Sequence, residues 1–75
     1  MKDQLAAAVR DGIPGASVEA EVDGNRALIT VVSETFAGMS RVRKQQAVYA
    51  CIQAYIADGS LHAVTIRALT PAEAG

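Results

Sequence analysis

The side chains best suited to bind a metal ion are one histidine, His62, and one cysteine, Cys51. A tetrahedral zinc site or a four-cysteine cluster site needs four such ligands, so the chain cannot complete either site alone. A lone histidine at the start of a strand is usually a hydrogen-bonded structural residue. A cysteine at the edge of an apolar helix face usually packs as a small hydrophobe.

No combination of residues predicts catalysis. Ser40 would need a base within reach to act as a nucleophile, and its place before a helix explains it more simply as an N-cap. Glu19 and Glu21 alternate with apolar residues, which is typical of the solvent-facing side of a strand. We therefore predict that the protein is not an enzyme.

A basic cluster, Arg41, Arg43 and Lys44, stands at the start of the longest predicted helix. Cations at a helix N-terminus oppose the helix dipole and cost a few tenths of a kcal/mol each. Arg41, Lys44 and Gln45 also lie in the angular sector that is apolar from Val48 onward. Three interpretations remain open. The basic end of the helix extends past the core into water, binds an acidic surface of a protein partner, or contacts nucleic acid or phosphate.

Length and composition predict a single small domain spanning residues 1–75, with 51% hydrophobic and 20% charged residues. The net charge of −1 gives the whole molecule no strong attraction to nucleic acid or anionic membranes. The N-terminus lacks the apolar segment of a signal peptide, and no apolar run approaches the ~20 residues of a membrane span. We expect a cytoplasmic protein without a membrane partner. The single cysteine excludes an intramolecular disulfide.

Hydrophobic periodicity predicts two helices and three strands in the order α-β-β-α-β. The predicted elements are a helix at 2–11 stopped by Gly12, strands at 16–22 and 26–33 joined by a hairpin turn, a helix from 41 through 58, and a strand at 61–69. Because a long helix separates strands two and three, the third strand can run parallel to a hairpin strand. The expected α+β architecture has two layers: a three-stranded mixed sheet with helices on one face.

Finer features of the long helix and the chain end follow from the same patterns. Gly38 supplies a tight turn, Ser40 caps the helix, and Asp58-Gly59 ends it. The tail at 72–75 is expected to fray. The helical wheel predicts an apolar face edged by Val42 and Cys51, with an alanine side opposite. That face comprises Val48, Tyr49, Ile52, Tyr55 and Ile56, and the opposite side comprises Ala47, Ala50, Ala54 and Ala57.

Several blocks in ordered spacing resemble the BolA-like family, most closely its IbaG-type bacterial subgroup. The blocks are Phe36-Ala37-Gly38-Met39-Ser40-Arg41-Val42, Val48-Tyr49, Leu61-His62-Ala63-Val64-Thr65-Ile66 and Thr70-Pro71-Ala72-Glu73. The resemblance implies an αββ(α)αβ fold like that of class II KH domains, with an extra short helix near residues 34–37. It also implies a non-enzymatic adaptor that binds a monothiol glutaredoxin with glutathione and assists [2Fe–2S] cluster assembly, trafficking or sensing, in a stress-response setting.

The resemblance assigns roles to individual residues. His62 matches the family's cluster ligand at the start of the last strand, to be completed by the partner's ligands. The usual second position, in the hairpin, falls at Arg26, whose protonated guanidinium is not a normal metal ligand. The implied partner-binding residues are Phe36, Gly38, Ser40, Arg41, Lys44 and Gln45.

The family resemblance also implies an alternative, a nucleic-acid-binding transcriptional regulator that uses Arg41, Arg43 and Lys44. The turn Gly38-Met39-Ser40-Arg41 lacks the second glycine of the GxxG loop through which KH domains approach phosphates. A purely structural interaction module is a third possibility. The sequence leaves open whether the chain forms a weak homodimer.

Overall fold

A computed structural model describes residues 1–75. Its elements are α1 (Lys2–Gly12), β1 (Ser17–Asp23), β2 (Arg26–Val32), a 3₁₀ turn (Glu34–Phe36), α2 (Arg41–Cys51), α3 (Gln53–Ala57), β3 (Ala63–Leu69) and α4 (Pro71–Ala74). The predicted order is confirmed, and the 3₁₀ turn lies where the resemblance placed an extra short helix.

The three strands form one mixed sheet with β2 in the centre. β1 pairs with β2 in antiparallel fashion through the hairpin, and β3 pairs with the other side of β2 in parallel. In this register Ala20 lies opposite Ile29, and Ile29 lies opposite Ile66. The predicted α+β class and the parallel third strand are therefore confirmed.

The core lies between the helices and one face of the sheet. Alternate residues of β2 are buried, because successive side chains of a strand point to opposite faces. The buried cluster is formed by Leu5, Val9, Ile13, Ala27, Ile29, Val31, Phe36, Val48, Ile52, Leu61 and Ile66. No helix has both the length and the apolar character required to cross a membrane.

The prediction of one helix from 41 through 58 is wrong, because the helix is interrupted at Ile52. This residue has φ −115° and ψ 10°, and its N–H donates to the Tyr49 carbonyl three residues earlier. Its side chain is completely buried. Tertiary packing of this kind overrides the local preference for a continuous helix.

The helical wheel identified the core residues of α2 only in part. Val48 and Ile52 are fully buried, whereas Tyr49 is 42% exposed and Val42 is 64% exposed. Ala47, predicted to lie on the solvent side, packs against the core together with Cys51. The wheel assumes one straight helix with a single partner, but α2 packs against both α1 and β3.

Gly12 has a packing role that the sequence analysis missed. It is the last residue of α1, not a stop beyond it. A Cβ added here would collide with the Cys51 Sγ of α2. The absence of a side chain therefore allows α1 and α2 to approach closely.

The expectation of a frayed tail is wrong. α4 begins with a capping box, in which the Thr70 hydroxyl accepts from the Glu73 N–H and the Glu73 carboxylate accepts from the Thr70 N–H. These reciprocal bonds satisfy donors that would otherwise be free at the helix start. The Thr70-Pro71 pair ends β3 as predicted and also starts this helix.

Candidate partner-binding surface

The turn between β2 and α2 is supported from beneath by Phe36, which is completely buried. Phe36 therefore offers no surface to a partner, which corrects the expectation that it contacts one. Gly38 takes a φ of 79°, a left-handed conformation that glycine adopts without strain. The Ser40 Oγ accepts from the Arg43 N–H at 3.2 Å, so the predicted N-cap is confirmed.

A recess beside the outer edge of β3 is lined by three cationic residues, Arg41 and Lys44 from α2 and Arg67 from β3. We call these three residues the basic corner. Arg43 is exposed and does not line the recess. The sequence analysis missed Arg67. Arg67 follows Ile66, whose carbonyl bonds to Gln45 of α2, and only the tertiary structure reveals this neighbour.

The polar start of α2 covers the free edge of the sheet. The Gln45 Nε2 donates to the Ile66 carbonyl of β3 at 2.8 Å. Unpaired edge groups are a site for unwanted strand pairing, and a side-chain amide that occupies one of them protects the edge. The sector that is apolar from Val48 onward becomes polar here because it faces backbone groups of β3, not the core.

One carboxylate lies in the basic corner. The Lys44 Nζ donates to the Glu73 Oε1 at 3.0 Å, and the Thr70 N–H donates to the same oxygen at 2.8 Å. The backbone bond from Thr70, followed by the bond from Lys44, lowers the pKa of Glu73 to about 2. Glu73 is thus ionised at any ordinary pH, and α4 is tied to α2 by an ion pair.

His62 lies at the opposite end of β3, next to the hairpin. Its N–H donates to the Asn25 carbonyl at 2.8 Å, and β3 starts one residue later, with Ala63 opposite Arg26. The hairpin and His62 are thus adjacent, as the resemblance implies for its two ligand positions. The His62 side chain is exposed beside a recess lined by Tyr49 and Leu61, among others.

The residues present do not form a complete metal site. No group of three or more histidine, cysteine, aspartate or glutamate side chains is arranged to hold a metal ion. Arg26 occupies the hairpin position to which the resemblance assigns a second ligand. If His62 binds a cluster, as the resemblance implies, the other ligands must come from elsewhere.

Cys51 packs inside the fold and does not belong to the surface around His62. Its Sγ donates to the Ala47 carbonyl at 3.3 Å and lies against Gly12, on the side of α2 that faces α1. Burial raises the pKa of the Cys51 thiol. A protonated thiol is a poor metal ligand and nucleophile, so this residue acts as a packing group.

Tyr49 connects the two ends of the β3 edge. It lines the recess beside His62 and also a second recess that contains Gln45 and Gln53 from the helices and Val64 from β3. A shallow groove therefore follows β3 from the basic corner to His62, with a half-exposed tyrosine between them. The sequence analysis placed Tyr49 with the apolar face, because a helical wheel does not show where a neighbouring element ends.

Comparison with known proteins gives consistent results. The sequence model of the family described as BolA-like protein matches residues 17–73. The chain is 41% identical over 71 residues to the acid stress protein IbaG of Escherichia coli K12, covering 95% of this chain and 84% of that protein. It is 39% identical over 71 residues to an Acinetobacter guillouiae protein from the rpoN–murA intergenic region, covering 95% and 86%.

Solved structures share the fold. BolA1 from Arabidopsis thaliana superposes with a TM-score of 0.83 at 23% identity, covering 96% of this chain and 93% of that one. A BolA homologue from Coxiella burnetii gives a TM-score of 0.84 at 23% identity, covering 99% and 95%. These two similarities establish the arrangement of helices and strands.

Proposed function

The chain belongs to the BolA-like family, and from this premise we propose that it is a non-enzymatic cytoplasmic adaptor for a monothiol glutaredoxin. In this proposal it assists the assembly, trafficking or sensing of a [2Fe–2S] cluster that the two proteins share. The observation that carries the proposal is the exposed imidazole of His62, which stands next to the hairpin without any second ligand from its own chain.

The chemistry of the missing ligands suits such a partner. A [2Fe–2S] cluster is usually held by thiolates, and histidine can replace cysteine on one of its irons. A glutaredoxin cysteine and glutathione would supply thiolates, while His62 would supply one neutral imidazole. Because a protonated imidazole cannot bind iron, the shared cluster should be held less tightly as the solution becomes acidic.

We assign docking to the other end of the groove. Gly38 and Ser40 shape an exposed turn, and Arg41, Lys44 and Gln45 follow it along the first turns of α2. These side chains can contact a partner while His62 remains free to reach the cluster. The name of the Escherichia coli relative refers to acid stress, and we propose a stress-response role for this chain too.

Titration with a [2Fe–2S]-loaded monothiol glutaredoxin and glutathione, followed by visible absorption and circular dichroism, tests the proposal. We expect a complex with an altered cluster spectrum. His62→Ala should still bind but should lose the spectral change, whereas Arg41→Gln with Lys44→Gln should weaken binding. Lys2→Gln with Arg10→Gln, on exposed α1 surface, removes the same two charges and is the control for charge. Absence of both a complex and a spectral change would refute the proposal.

The second candidate function, nucleic-acid binding, is favoured by the grouping of Arg41, Lys44 and Arg67 in one recess with Arg43 nearby. Binding of a labelled DNA duplex or single strand should then weaken steeply with salt, because phosphate contacts release counterions. Neutralising Arg41, Arg43 and Lys44 together should abolish it. No binding at low salt would eliminate this candidate.

A further inference from the structure

The basic corner is already a carboxylate-binding site, and its occupant is part of the same chain. Lys44 donates to Glu73 at 3.0 Å, and the lysine side chain is only 14% exposed, whereas the glutamate side chain is 49% exposed. The cation is thus held in place by its surroundings, while the anion sits on the solvent side. An anion approaching from solution would meet Glu73 first.

The ion pair between Lys44 and Glu73 does not neutralise all the cationic residues of the recess. It is the only salt bridge in the molecule, so Arg41 and Arg67, which line the same recess, have no carboxylate within bonding distance. Guanidinium groups bind carboxylates through two parallel N–H donors. The recess therefore has the capacity for at least one more carboxylate than it holds.

We propose that the basic corner binds an acidic segment of a protein partner, and that Glu73 is the intramolecular competitor that occupies part of this site until the partner arrives. The proposal rests on the docking role proposed above and specifies the chemistry of the partner. Glu73 would give up Lys44 to an incoming carboxylate and keep its bond from the Thr70 N–H, so α4 need not unfold.

The surroundings favour a peptide over nucleic acid. The groove beyond the corner carries uncharged amides and apolar groups, including Gln46, Gln53 and Tyr49. A nucleic-acid strand would need cations at each successive phosphate, and none lines this part of the groove. An extended peptide needs charge only where its own carboxylates lie.

The test compares fluorescein-labelled hexaglutamate with labelled hexaglutamine and a single-stranded oligonucleotide, by fluorescence anisotropy at about 10 mM salt, where screening is weak. Wild type should bind hexaglutamate only, and Glu73→Gln should bind it roughly two- to fivefold more tightly, the range expected for an exposed ion pair. Glu19→Gln, on β1, makes the same change in net charge and should have no effect. Arg67→Gln should cancel the gain.

Three outcomes would overturn the proposal. Equal gains in Glu73→Gln and Glu19→Gln would mean a general charge effect, and oligonucleotide binding without hexaglutamate binding would assign the corner to nucleic acid. If peptide addition shifts the amide resonances of residues outside α4 and the start of α2, the peptide binds elsewhere. Parallel titrations with glutaredoxin separate the two proposals. If glutaredoxin does not bind, the adaptor function is refuted, whereas a Glu73-dependent effect on peptide binding would still support the acidic-segment site.

Discussion

The two sides of α2 differ in what they do. The side toward α1 carries small and apolar groups, and Cys51 lies so near Gly12 that no side chain fits between the helices. The side toward β3 carries Lys44, Gln45 and Tyr49, which cover the edge strand without sealing it. One helix thus supports folding on one side and offers a binding surface on the other.

The difference predicts two classes of variants. Substitutions on the α1 and core side should lower the free energy of unfolding and leave partner binding unchanged in the molecules that fold. Substitutions on the β3 side should change binding and should cost less stability, about 1.5 kcal/mol at most. The four predictions below start with the largest expected effect.

Ile52→Ala should lower the free energy of unfolding by about 2–5 kcal/mol, the range for deletion of a buried isoleucine side chain. Ile52 is completely buried where α2 meets α3. Urea unfolding measures the loss, and the exposed neighbour Gln53→Ala should change stability by no more than about 0.5 kcal/mol. Equal effects at the two positions would mean that the Ile52 side chain does not contribute to the core.

Gly12→Ala should cost about 1–3 kcal/mol, because its Cβ would overpack the contact with Cys51. In a Cys51→Ala background the same substitution should cost far less. A double-mutant cycle by urea unfolding measures the coupling free energy between the two positions. A coupling of zero would show that α1 and α2 can separate freely, which would contradict the close contact.

Gln45→Ala should cost about 0.5–1.5 kcal/mol through loss of its bond to the Ile66 carbonyl. The adjacent exposed residue gives a matched control, because Gln46 makes no such bond. Thermal unfolding of Gln45→Ala and Gln46→Ala compares them directly. If Gln46→Ala proved the more destabilising, the polar side of α2 would not be covering the edge of β3 as described.

Glu73→Gln should alter how stability depends on pH, with the smallest effect of the four. The folded-state pKa of Glu73 is lowered from 4.5 to about 2. Its stabilising contribution is therefore complete above pH 4.5 and is lost as the pH falls through about 2. The difference in Tm between wild type and Glu73→Gln should become smaller as the pH falls from 4.5 to about 2. The difference in Tm between wild type and the charge-matched Glu19→Gln should change less.

The fold was largely predictable from the sequence. Alternation of polar and apolar residues located the hairpin strands to within a residue, and Ser40 marked the start of α2 correctly. These features depend on neighbours in the chain. The spaced motifs from Phe36 to Glu73 then indicated the family, which the comparisons confirm.

The candidate surface was predictable only in part. Arg41, Lys44 and Gln45 are where the sequence analysis placed them, at the start of α2. Their counterparts Arg67 and Glu73 were missed, since no local pattern connects a strand residue or a chain end with a helix start. The roles of His62 in cluster binding and of the basic corner in docking stay predictions.

By itself, the sequence determined the order of elements, the hairpin, the helix cap and the family, because these follow from residues close together in the chain or from motif spacing. Only the tertiary structure decided that the helix breaks at Ile52, that Gly12 is a contact residue and that the tail folds onto Lys44. The last two depend on residues far apart in sequence, since Lys44 and Glu73, for example, are separated by 29 positions. Their energies arise only once the sheet has brought them together.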